Sequence, residues 1–160
     1  MNAVRDDIGA AIGRIPSGCS ILTVQHGDRS TGLLVSWVQQ AAFDPPSISV
    51  CVKSGRPAIE LIEAARCFVL NVIGAESTPW FKHFGKGFAL NEDAFAGLSV
   101  EPSEFGPVLT DCIAHLGCSL QGRIEVGDHV LYAAAVQAGG VRTGADIAPY
   151  VHIRKTGLSY

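Results

Sequence analysis

Residues 30–63, STGLLVSWVQQAAFDPPSISVCVKSGRPAIELIE, constrain the fold of this chain more than any other stretch. They read as strand, loop, strand and helix, with polar groups gathered where two apolar runs stop. Residues 31–36 form the first strand, which ends on Ser36-Trp37-Val38-Gln39-Gln40. Asp44-Pro45-Pro46 must lie in a loop, because proline has no N–H to give a central ladder. Ser47-Ile48-Ser49-Val50-Cys51-Val52 alternates small polar with apolar residues, as a half-buried strand does. Pro57 marks a first helical turn, where its missing N–H costs nothing. Ile59, Leu61, Ile62 and Ala65 follow as a helical stripe.

The junction Lys53-Ser54-Gly55-Arg56 lies between that strand and that helix. A cationic turn feeding a helix N-terminus suits an anion, since unpaired backbone N–H groups and the helix dipole both favour negative charge. The alternative is a solvated basic loop.

Elsewhere, Val4, Ile8, Ala11, Ile12 and Ile15 fall on one helical face. Residues 19–24 form a β-branched run ended by the turn His26-Gly27-Asp28, so residues 19–36 predict a hairpin. Residues 67–73 form a continuous apolar strand. Residues 74–103 give mixed signals: a short helix is expected near 79–84, with Phe81, Phe84, Phe88 and Phe95 packing over the sheet. Residues 111–126 and 129–137 read as long strands joined by Val126-Gly127-Asp128. Gly139-Gly140 opens a loop, and residues 150–154 form a last strand. Six or more strands with short connections, against two or three helices, predict a closed or nearly closed antiparallel β-barrel capped by helices. The 160 residues are expected to form a single domain, 1–160.

The net charge of −3 argues against a nucleic-acid or anionic-membrane surface. No apolar run reaches the ~20 residues that span a bilayer. The first residues, with two early aspartates, do not read as a secretory signal. Cys19, Cys51, Cys67, Cys112 and Cys118 are odd in number, lack a Cys-x-x-Cys pair and sit in apolar runs, which fits free thiols in a reducing cytoplasm. His26 reads as a turn residue and His83 as a helix end or part of a basic rim. His115 and His152 lie in strand patterns with no evident partner. None of the five histidines has metal-ligand spacing, so no metal is expected. The glycine fingerprint of a Rossmann site, the Walker A loop and the Gly-x-Ser-x-Gly elbow are absent from the sequence.

GLLVSWVQQAAFDPPSISVCV followed by KSGRPAIELIEAARCFVLNV resembles the flavin reductase-like, FMN-binding split-barrel family. The likeness runs from Gly13-Arg14-Ile15-Pro16-Ser17-Gly18 to Gly127-Asp128-His129. It is strongest toward the flavin reductase modules of cyanobacterial flavodiiron proteins, including Ser36-Trp37-Val38 and Arg154-Lys155-x-Gly157. The resemblance implies a mainly β, antiparallel Greek-key split β-barrel and hydride transfer from NADH or NADPH to flavin. The alternative it leaves is a flavin-bound electron carrier reduced by a partner protein.

By the same resemblance, Val35, Ser36, Trp37 and Val38 would line the flavin, and Ser54, Arg56 and Lys53 would hold its phosphate. That phosphate favours FMN, with FAD possible. Asn71 would stand near the flavin or serve the core as a buried amide. His129 would meet the flavin edge or the nicotinamide, or orient its turn through Asp128. Where the family often has glycine, Ala134 would narrow the space beside a bound ring. A homodimer is implied, with Trp37 and the Phe-rich segment as interface aromatics, and a protein electron acceptor is possible.

Overall fold

The computed structural model describes residues 3–142 and 146–159. Helix α1 spans Ala3–Ile12, followed by β1 (Ser17–Gly18), β2 (Ser20–His26), β3 (Arg29–Val35), β4 (Val38–Phe43) and β5 (Pro46–Lys53). Then come α2 (Ala58–Ala65), β6 (Cys67–Val72), α3 (Thr78–Gly85), β7 (Val100–Glu101) and β8 (Val108–Leu109). The long strands β9 (Ala114–Val126) and β10 (His129–Val141) and the short β11 (Val151–His152) complete the chain. The main sheet has seven antiparallel strands in the order β3-β2-β6-β9-β10-β5-β4.

The sheet curls until β3 faces β5 across one core, in which Leu22, Val35, Val50, Phe68 and Tyr132 meet under Leu61 and Ile62 of α2. Strands β3 and β4 end the sheet on opposite sides, although only Ser36 and Trp37 separate them in sequence. The fold is thus an antiparallel split barrel, open at that two-residue link. A second core lies outside the sheet, where Phe84 and Phe88 pack on Ile21, Val69, Ile73 and Leu109. Gly32 permits this packing: a Cβ there would stand 2.7 Å from the Phe84 ring.

Several local expectations change. The segment after Trp37 is strand β4 rather than loop, with most of its residues exposed on the sheet's outer edge. Its apolar and polar residues do not alternate, so it lacks the period of a half-buried strand. Gly139 and Gly140 continue β10 instead of opening a loop, pairing with Leu116 and His115. A Cβ at Gly139 would come within 2.9 Å of the His115 carbonyl, and one at Gly140 within 3.1 Å of the His115 ring. These glycines serve close strand approach. Strand β9 starts at Ala114, three residues later than the apolar run suggests.

Ala134 does not border a ligand space. It is fully buried in the barrel core, opposite Ile48 and Leu120. Phe84 and Phe88 are likewise inside the molecule and cannot serve as interface aromatics. The apolar stripe that faces out is on α1, where Val4, Ile8 and Ile15 just beyond the helix are 66%, 50% and 65% exposed. The buried residue of this helix is Gly9. All five cysteines are free thiols. No helix among the described residues is long and apolar enough to cross a membrane.

Candidate functional site

The split in the barrel opens a cleft of about 360 Å³, within the range of small-molecule sites. Leu33, Leu34 and Val35 at the end of β3 form one wall, and Cys51 and Val52 near the end of β5 form another. Phe81 and Gly85 of α3 and Tyr150, His152 and Arg154 complete the lining, with the Phe81 and Tyr150 rings in edge contact, centroids 4.4 Å apart. The walls are mostly apolar, while Lys53, Arg56 and Arg154 supply cationic groups. Such a lining can pack an apolar body and meet a negative charge.

The cationic end is a built turn. Gly55 has φ of +82°, and the Arg56 N–H donates to the Lys53 carbonyl at 3.3 Å. Glycine suits the left-handed position of such a turn because it carries no Cβ. The Ser54 N–H donates to the Asp128 carbonyl at 2.9 Å, tying this turn to the β9–β10 hairpin. The half-buried Arg56 reaches toward Gly87, where a Cβ would stand 2.7 Å from its guanidinium. Its one hydrogen bond there, Nη1 to the Lys86 carbonyl, is long at 3.5 Å. Among the described residues the rest of its fork makes no hydrogen bond.

His129 arrives by register. It opens β10 directly opposite Lys53 of β5, so the two side chains emerge on one face. Its Nδ1 donates to Asp128 Oδ1 at 2.8 Å, and that bond holds the Asp128 carboxyl below the usual carboxylate range. The imidazole lies against the Trp37 indole, with ring centroids 4.5 Å apart and planes 35° from parallel. The Arg154 guanidinium also lies over this indole, 4.9 Å from its centroid.

Val35, Ser36, Trp37, Lys53 and Arg56 therefore meet at the cleft. His129 borders an adjoining hollow with Trp37 and Lys53, and Val38 borders another with Ser36 and Trp37. Ser54 is exposed on the turn and does not line the cleft. Asn71 is not brought there either. It is fully buried; its amide donates to the Ile21 carbonyl and Thr23 Oγ1, both at 3.0 Å, and its Oδ1 accepts from the Leu109 N–H at 2.9 Å. His83 is no rim residue, since its Nε2 bonds to the Ala94 carbonyl at 2.8 Å and its ring packs on Phe84 and Phe88.

Sequence reasoning missed Cys51, Phe81, Tyr150, His152 and Arg154 as cleft residues. The last three sit at every second position, the period of residues sharing one face of an extended segment. Cys19 also lines the cleft, and burial pushes its thiol up to about 11.

Residues 12–157 match the family described as "Flavin reductase like domain". The chain belongs to this family. It is 39% identical over 153 residues to "Putative diflavin flavoprotein A 3" of Synechocystis sp., covering 94% of this chain and 25% of that protein. It is 36% identical over 162 residues to "Putative diflavin flavoprotein A 3" of Nostoc sp., covering 100% of this chain and 28% of that one. The flavin reductase-like chain thus spans about a quarter of the length of these curated relatives.

Among solved structures, it resembles the NADH:FAD oxidoreductase SgcE6 of Streptomyces globisporus, with a TM-score of 0.82 and 20% identity over 91% of this chain and 86% of that one. A nitrilotriacetate monooxygenase component B homologue from Mycobacterium thermoresistibile gives a TM-score of 0.81 and 22% identity, covering 91% and 80% of the two chains. These likenesses agree with the split-barrel fold.

Proposed function

We propose that the chain binds FMN in the cleft, takes hydride equivalents for it from NADH or NADPH, and passes electrons onward. The observation that carries this reading is the position of the cationic Lys53–Arg56 turn at one end of an apolar cleft bordered by Trp37. Val35, Ser36 and Trp37 would line the ring system and ribityl chain. Arg56, with Lys53 and the nearby Ser54, would hold the phosphate, matching a planar fork to a near-dianionic group. FMN fits this set most simply, and FAD could use the same turn. When bound, the flavin supplies the redox chemistry, and the protein contributes binding, orientation and electrostatics. His129, fixed by Asp128 against Trp37, would border the reacting end.

The chain would act as a single domain over residues 1–160, as a homodimer in the reducing cytoplasm. The exposed stripe Val4, Ile8 and Ile15 is the surface we assign to the dimer contact, because a grouped apolar patch marks an interaction site. A second reading follows from the match to only a quarter of the diflavin relatives: a flavin-bound carrier reduced by a protein rather than by a nucleotide, and delivering electrons to a protein acceptor.

Anaerobic addition of NADH and then NADPH to the FMN-loaded protein separates the two. Bleaching of the flavin band within seconds by one donor is the expected result. A band that persists with both donors yet bleaches with dithionite would favour the carrier.

A further inference from the structure

Three hollows meet at Trp37, and Arg154 borders every one of them. The first is the cleft that holds Arg56. The second, about 480 Å³, runs beside Ile12 and Ile15 toward Gln39. The third, about 410 Å³, is lined by Arg5, Lys53, Asp128, His129 and Arg154. Arg56 borders only the first of these.

The backbone around Arg154 is held on both sides. Before it, β11 pairs with β1, placing His152 opposite Ser17, and the Cys19 N–H donates to the Tyr150 carbonyl at 3.2 Å. After it, the Gly157 N–H donates to the Gly9 carbonyl of α1 at 2.6 Å. Gly13 allows the close approach between these, since a Cβ there would stand 2.7 Å from the Arg154 carbonyl. The guanidinium itself rests on the Trp37 indole, and among the described residues no carboxylate pairs with it. Among the described residues lining the third hollow the carboxylate is Asp128, which is engaged by His129. Arg5, Lys53 and Arg154 give that hollow three cationic groups.

We infer that Arg154 is the donor-recognition residue: it takes the pyrophosphate of the pyridine dinucleotide from the third hollow, which Arg56 does not border. This rests on the reading that NADH or NADPH is the donor. Two anionic ligands must share one groove, and among the described residues Arg56 borders the first hollow alone, Arg5 the third alone, and Lys53 and Arg154 both. A pyrophosphate presents paired oxygens to a planar guanidinium fork, which an ammonium cannot match. The indole face holds that fork in place before the anion arrives.

Calorimetric titration of NAD⁺ and NADP⁺, which cannot reduce the flavin, into the FMN-loaded protein tests this directly. Arg154→Gln should raise the dissociation constant for the preferred dinucleotide about tenfold, the effect of losing a charge-assisted hydrogen bond. Arg154→Lys should recover only part of the loss. Because Arg154 also borders the flavin cleft, FMN affinity of both variants should fall, but by much less than dinucleotide affinity. Unchanged dinucleotide binding in Arg154→Gln would overturn the inference and leave the donor reading standing. FMN affinity falling as far as dinucleotide affinity would assign Arg154 to the flavin phosphate instead. A wild-type protein that binds neither dinucleotide would remove both the inference and the reading beneath it.

Discussion

Asn71→Ala is expected to lose roughly 3 kcal/mol of folding stability while its flavin affinity is unchanged. The wild-type side chain makes three hydrogen bonds from a fully buried position, two from its amide and one at Oδ1. They join β6 to β2 and to Leu109 of β8. Alanine leaves the Leu109 N–H and the Ile21 carbonyl without these partners, and each buried orphan costs about 1–3 kcal/mol. For a domain of this size, such a loss lowers the melting temperature by roughly 10 °C. Thermal unfolding and flavin titration of the same variant check both halves. A variant that melts with the wild type but binds flavin weakly would return Asn71 to the cofactor.

Arg56→Ala is expected to weaken FMN binding about 10- to 100-fold, which corresponds to the roughly 1.5–3 kcal/mol of a hydrogen bond to a charged group. Riboflavin, which lacks the phosphate, should bind the variant as it binds the wild type. The guanidinium has little structural duty to lose, since its hydrogen bond among the described residues is the long one to the Lys86 carbonyl. The phosphate is therefore the partner whose loss the experiment reads. Equal losses for FMN and riboflavin would remove Arg56 from the phosphate site.

Much of the fold was legible because its strands carry local signals. The hairpin of β2 and β3 shows in a β-branched run and a Gly-Asp turn, and α2 shows in Pro57 and its stripe. Strand β4 was illegible because it is an edge whose exposed residues obey no period. The stripe on α1 announces a helix but not which way it faces, and the structure turns Gly9 inward.

The site divides in the same manner. Lys53 and Arg56 were legible because a basic turn before a helix is a local pattern, and His129 because its turn is one. Phe81, Tyr150, His152 and Arg154 reach the cleft through the packing of α3 and the last strand against distant residues. Asn71 was ambiguous for a physical reason: a buried amide needs partners, and sequence does not say whether protein or ligand supplies them.

The most direct test of the account is a visible-spectrum titration of FMN into the purified chain, with flavin and tryptophan fluorescence followed in parallel. Binding in the cleft predicts resolved, shifted flavin bands and quenching of both signals, saturating at one FMN per chain, with the tryptophan quenching lost in Trp37→Phe. A flavin spectrum identical to that of free FMN at every protein concentration would contradict it.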